Sequence, residues 1–254
     1  MDWSARRRFL ILFGLGAIAV AIAAVTLIAT THHTPSCTDG IENQGEQGID
    51  CGGPCPYLCT ALEEPPTVLY TKAIGNGQGR TDVIAEVENK NADAAAKGVP
   101  YTIALYDSSH TLVQKVSGTL DLPPDATVPV FVHGVASGNQ TVASAFLTID
   151  PAAISWYRLT SDPRIVPQVS NVTVVGSPTA PAIRSTLTNP STTPLAQVLV
   201  IVTVHDGAGN VIAASQTVLP TIPSLGTATA TFTWNAPFRG TAVTTEVLPV
   251  IPLP

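Results

Sequence analysis

Four cysteines, Cys37, Cys51, Cys55 and Cys59, are the only ones in 254 residues, and all lie within one short stretch. Among them stand Asp39, Asn43, Glu46 and Asp50, a set of hard oxygen donors on a segment too small to bury a core. An even number of cysteines in an exported segment reads as two disulfides, and three connectivities are open. Zinc is the competing reading, but C-x3-C-x3-C is not the usual C-x2-C pair, and export disfavours bare thiolates. The oxygen donors also have two readings. They offer a candidate calcium site, although the spacing is not the D-x-D-x-D-G of an EF-hand. Alternatively, the same groups cap turns by accepting hydrogen bonds from local amides.

Elsewhere the sequence holds little that could do chemistry. A nucleophile elbow, a phosphate loop, HExxH and a dinucleotide fingerprint are all missing from it. His32-His33 is an adjacent pair, which does not share one metal-binding face as i,i+4 would, and it reads as a solvated pair. His205-Asp206 looks like half of a triad, but an internal repeat sets it opposite Tyr106-Asp107 at a hairpin. The expectation is a protein that is not an enzyme, with calcium the one candidate cofactor.

The elements that must position these groups begin with a basic stretch, residues 1–8, carrying Arg6, Arg7 and Arg8. Twenty-one residues from Phe9 to Ala29 follow without a charge. At about 1.5 Å per residue they make roughly 31 Å of helix, enough to cross a bilayer. Arginines before the span and none directly after it place residues 1–8 in the cytoplasm, residues 9–30 in the membrane and the rest outside. A cleaved signal peptide is the rival, but its apolar core is ordinarily about 7–15 residues long. Both readings export the remainder. Residues 31–65 then form a Cys-rich collar and a Pro-stiffened link.

The remainder repeats itself. DVIAEVENKN near residue 83 matches AIRSTLTNPS about a hundred residues later, and YTIALYDSSHTLV matches VLVIVTVHDGAGNVI. In register, Val83 pairs with Ile183, Val87 with Leu187, Asn89 with Asn189 and Asp107 with Asp206. A period near one hundred is about one small domain. Val83, Ala85 and Val87 alternate with Ile84, Glu86 and Glu88, and Tyr101, Ile103 and Leu105 alternate with Thr102, Ala104 and Tyr106. That is the period of a strand with one buried face. The fold class expected is all-β: two tandem immunoglobulin-like sandwiches, residues 66–150 and 165–254, joined by a linker over 151–164. Pro129 and Pro249 are expected on sheet edges.

Two stretches resemble known bacterial motifs. CTDGIENQGEQGIDCGGPCPYLC is similar to a short Cys-rich motif of exported bacterial proteins, C-x-D-G-x-x-N-x-x-E-x-G-x-D-C-G-G-x-C. The run through Asn89 and Leu105-Tyr106-Asp107 resembles the FxLYD-type domain, whose marks are an Asn after an early strand and an aliphatic-Tyr-Asp before a turn. The second copy departs from it at Val204-His205-Asp206. The whole order is similar to uncharacterised single-span bacterial surface proteins. The resemblance implies a fold and a location; the family carries no established activity.

Trp156 and Tyr157 stand in the linker of a chain with three tryptophans. They are expected to pack between the two modules and fix their angle, with an exposed binding surface as the alternative. Beyond the first eight residues, nine basic side chains face seventeen acidic ones, which argues against nucleic-acid binding. The function expected is non-catalytic: a protein held in membrane lipid by its helix, presenting two modules to a protein partner at the envelope. A structural spacer or assembly subunit is the alternative.

Overall fold

The computed structural model describes residues 3–31, 36–75, 80–137 and 141–254; His32 and His33 lie outside them. The chain divides into two compact units, Met1–Cys55 and Pro56–Pro254.

The first unit opens with helix α1, Trp3–Thr31. Its segment Arg6–Leu27 is long and apolar enough to cross a membrane, and none of it is buried by protein. An all-round apolar surface is what a bilayer requires and what water penalises. Thr26 turns its hydroxyl back to the Ile22 and Ala23 carbonyls, each at 2.9 Å, so the polar atom is satisfied within the helix.

The second unit holds two β-sandwiches. In the first, β1 (Thr67–Gly75), β2 (Arg80–Asn89) and β5 (Ala126–Ser137) form one sheet in the order β1-β2-β5. The other sheet runs β4-β3-β6, from β3 (Ala94–Tyr106), β4 (Leu112–Leu122) and β6 (Ser144–Ile149). A short strand β7 (Trp156–Arg158) pairs with the start of β3. Strand β3 crosses to the opposite sheet, β5 crosses back and β6 returns, the immunoglobulin-like arrangement. Val83, Val87, Ile103, Leu105 and Leu122 fill the space between the sheets without exposure.

The second sandwich repeats the first six strands of the first in the same order. Its sheets are β8-β9-β12 and β11-β10-β13. The strands are β8 (Gln168–Ser177), β9 (Ala180–Thr188), β10 (Leu195–His205), β11 (Val211–Ile222), β12 (Thr227–Thr233) and β13 (Thr244–Val250). Ile183, Leu187, Val200, Val202 and Phe232 make its core. Pro129 and Pro249 lie on β5 and β13, both edge strands, where sheets tolerate proline.

Two small polar devices recur in both copies. Asn89, almost fully buried, donates to the Ala94 and Pro123 carbonyls and accepts from the Asn91 amide. Asn189 donates likewise to Thr193 and Pro223 and accepts from Ser191. Each asparagine ties the loop after the second strand to the loop after the fourth. At the β3–β4 turn, Asp107 accepts from the Ser109 and Thr111 amides; at the β10–β11 turn, Asp206 accepts from Ala208 and Asn210. The turn needs a left-handed residue, supplied by His110 (φ 61°) in one copy and Gly209 (φ 80°) in the other.

The sandwiches share a third apolar cluster: Ile74, Ile84, Ile201, Val211 and Ala214, with Tyr70, Phe131 and Leu199 against it. Ile84 was expected on a solvent face, yet it is fully buried, because the outer face of β1-β2-β5 packs on the outer face of β11-β10-β13. The two faces are not equivalent. Matching the ladders of the copies sets Tyr70, Ile84 and Phe131 against Ser170, Arg184 and Thr231. It sets Leu199, Ile201 and Ala214 against Pro100, Thr102 and Lys115. At these matched positions each copy is apolar on the face it packs and polar or small on the other. A head-to-tail contact between repeats extends without limit unless its outer faces differ, and here they do.

Candidate functional site

The Cys-rich loop is built from turns. Gly40, Gln44, Gly45, Asp50, Gly52 and Gly53 all take positive φ, which folds some twenty residues back on themselves. Cys37 is bridged to Cys55, Cys51 and Cys59 are disulfide-bonded as well, and no cysteine is free. The four oxygen donors are drawn together inside this loop. Asp50 accepts from the Asp39 and Gly40 amides at 2.9 Å each. Asp39 accepts from the Ile41 amide and from the Asn43 side chain, both at 3.0 Å. Glu46, 8% exposed, accepts from the Asn43 and Asp50 amides. The Asp39, Glu46 and Asp50 carboxylates thus cap turns, while the buried Asn43 Oδ1 finds no hydrogen-bond partner among the described residues.

Trp156 takes a place that linker spacing alone does not suggest. It is 1% exposed and belongs to the core of the first sandwich, because β7 adds to that sandwich's second sheet through Ala96 and Trp156. Leu58 joins the same core, and its amide donates to the Trp156 carbonyl at 2.9 Å. Tyr157 is half-buried on the neighbouring register position, opposite Ala95. Trp156 thus closes one module rather than joining two; the cluster around Ile84 and Ile201 does the joining.

Two polar groupings lie where the sandwiches meet. In the first, the Tyr70 hydroxyl donates to Glu86 at 2.9 Å, and His205 Nε2 stands 3.9 Å from a Glu246 carboxylate oxygen. Burial raises the Glu86 carboxyl above its usual range; the Tyr70 hydrogen bond opposes this, Glu246 adds to it and His205 opposes it. Burial likewise raises the Tyr70 phenol, helped by Glu86. His205 also lies within 3.2 Å of the Thr203 hydroxyl, while Asp206 accepts from the amides of its own turn.

The second grouping is Asp82 with His133. Asp82 is 6% exposed and sits at a bulge in the β2–β5 ladder. One of its oxygens accepts from the Gly134 amide at 2.8 Å and meets His133 Nδ1 at 2.9 Å. The pair borders a cleft of about 320 Å³ whose other wall carries Gln216, Trp234 and Asn235 from the second sandwich. Sequence reasoning passed over this pair. Its one signal was the contrast between Asp82 and Ala182 at equivalent positions, since 51 residues separate Asp82 from His133 along the chain.

The chain matches no family model and no curated protein. Among solved structures it is similar to red sea bream transglutaminase, at 19% identity over 69% of this chain and a TM-score of 0.23. The chain spans about 27% of that protein's length, and a likeness at this level carries no argument about activity.

Proposed function

We infer that this is a non-catalytic protein, anchored in the membrane by α1, that presents two immunoglobulin-like modules outside the cytoplasm to a protein partner at the cell envelope. The three arginines before the span support the orientation. The disulfides support an oxidising location. The resemblance to FxLYD-type domains and to the exported Cys-rich motif points the same way.

The observation that carries the binding reading is an uncovered aromatic pair. Tyr106 on β3 and Phe146 on β6 meet edge to face at 6.0 Å on the first module's outer sheet face, with Phe146 56% exposed. The same face of the second module carries the interface to its sister. Aromatic side chains dominate interface hot spots, and an exposed Phe costs solubility unless something covers it. A structural spacer is the second reading, favoured by the outer face of β8-β9-β12, where Arg184, Thr229 and Thr231 are exposed and polar.

The test is crosslinking and mass spectrometry with the full chain in its native envelope. One reproducible partner, lost on Phe146→Ser, supports presentation to a protein. Recovery of the chain alone supports the spacer.

A further inference from the structure

We propose that the cleft bordered by Asp82, His133 and Trp234 binds a neutral oligosaccharide. This goes beyond the protein-binding reading and does not depend on it.

The cleft has two lobes. One, about 320 Å³, includes His133, Gln216 and Asn235; the other, about 290 Å³, includes Ile74, Pro237 and Phe238. Asp82, Ala214 and Trp234 belong to both, so the lobes adjoin. Each is at the lower end of the range for small-molecule sites, and together they suit a ligand of about two rings.

The chemistry of the walls selects the ligand class. The indole of Trp234 is fixed at both ends: its N–H donates to the Ala214 carbonyl at 3.3 Å, and Phe238 meets its ring edge to face at 5.1 Å. With its polar atom committed, the ring is a rigid apolar platform. A pyranose has the matching amphipathy, one face of C–H groups and a rim of hydroxyls. Opposite stands His133, its Nδ1 held by the buried Asp82, so a ligand meets Nε2 of an oriented imidazole. Gln216 and Asn235 are exposed amides, each both donor and acceptor, as paired hydroxyls require.

Among the described residues the lining carries one carboxylate, Asp82, already engaged by His133 and the Gly134 amide, and one guanidinium, Arg239. The two lobes therefore select for neither sign of charge, which suits a neutral hydroxylated ligand. Among the described residues the site is not repeated in the second copy. Asp82 and His133 correspond to Ala182 and Thr233 in the second copy, and the cleft needs both modules to form its walls.

The test is the full chain in lipid nanodiscs on an array of neutral hexose and N-acetylhexosamine oligosaccharides, with calorimetric titration of those retained. We expect retention of a neutral di- or trisaccharide, weakened at least tenfold by His133→Ala and by Asn235→Ala. Asn235 is exposed, so Asn235→Ala should melt at the parent temperature, whereas His133→Ala also removes a partner of the buried Asp82 and should melt lower; Trp234→Phe, which keeps a ring, should weaken binding less than Trp234→Ala. Retention of acidic glycans only, retention of none, or binding undiminished in both exposed variants overturns the proposal.

Discussion

Ile84 of the first sandwich and Ile201 of the second lie in one buried cluster, although each points away from its own module's core. Their counterparts in the repeat, Arg184 and Thr102, are residues that a solvent face tolerates. The interface is therefore written in the divergence between two copies of one fold, and it joins unlike faces.

Replacing each isoleucine by its counterpart should undo the contact while leaving both sandwiches folded. Ile84→Arg sets an unpaired charge against Ile201 and should cost about 3–5 kcal/mol. Ile201→Thr should cost about 1–3 kcal/mol. Calorimetry should show one transition in the parent chain and two in Ile84→Arg. A single transition at an unchanged temperature would contradict the packing.

The paired asparagines make a second prediction. Each is buried with its amide and carbonyl bonded to backbone in two loops, so Asn89→Ala or Asn189→Ala strands several acceptors. A cost of about 2–3 kcal/mol is expected for each, with urea denaturation as the measure. Asp107→Ala and Asp206→Ala, at hairpin turns, should destabilise much less than the asparagine changes.

The Glu86 grouping predicts a pH dependence. In the unfolded chain a glutamate ionises near about 4.3. Burial raises it in the folded protein, so across the window between the two values the folded state holds a proton that the unfolded state has released. Stability should therefore fall as pH rises through that window and level off above it. Tyr70, His205 and Glu246 face the same carboxyl and shift the window together. Glu86→Gln should flatten the slope in melting temperature measured between pH 4 and 8, and should melt higher than the parent at neutral pH.

In the Cys-rich loop the carboxylates already cap amides, so stability there is expected to rest on disulfides rather than on a cation. Amide exchange of residues 39–50 should be unchanged by EDTA and should accelerate after reduction with a phosphine. Protection that appears only with calcium would restore the cation reading for Asp39, Asn43, Glu46 and Asp50.

Much of this architecture was legible from residue order. Strand alternation, the repeat and the turn residues are local signals, and Val83, Val87, Asn89 and Asp107 sit where the pattern puts them. Ile84 was not legible, because an apolar residue on an outward register position says nothing about what covers it. Trp156 misled for the related reason that a three-residue strand carries too short a pattern to separate it from a linker. The Asp82–His133 pair joins distant residues through a bulge, and strand period alone does not locate a bulge.

The most direct test of presentation to a partner is a photo-crosslinking amino acid placed at position 146, and in a matched chain at position 229, in living cells. The account predicts one dominant heterologous adduct from position 146, abolished by Tyr106→Ser, and none from the threonine face at 229. Adducts of equal yield from both positions, or none from 146, would contradict it.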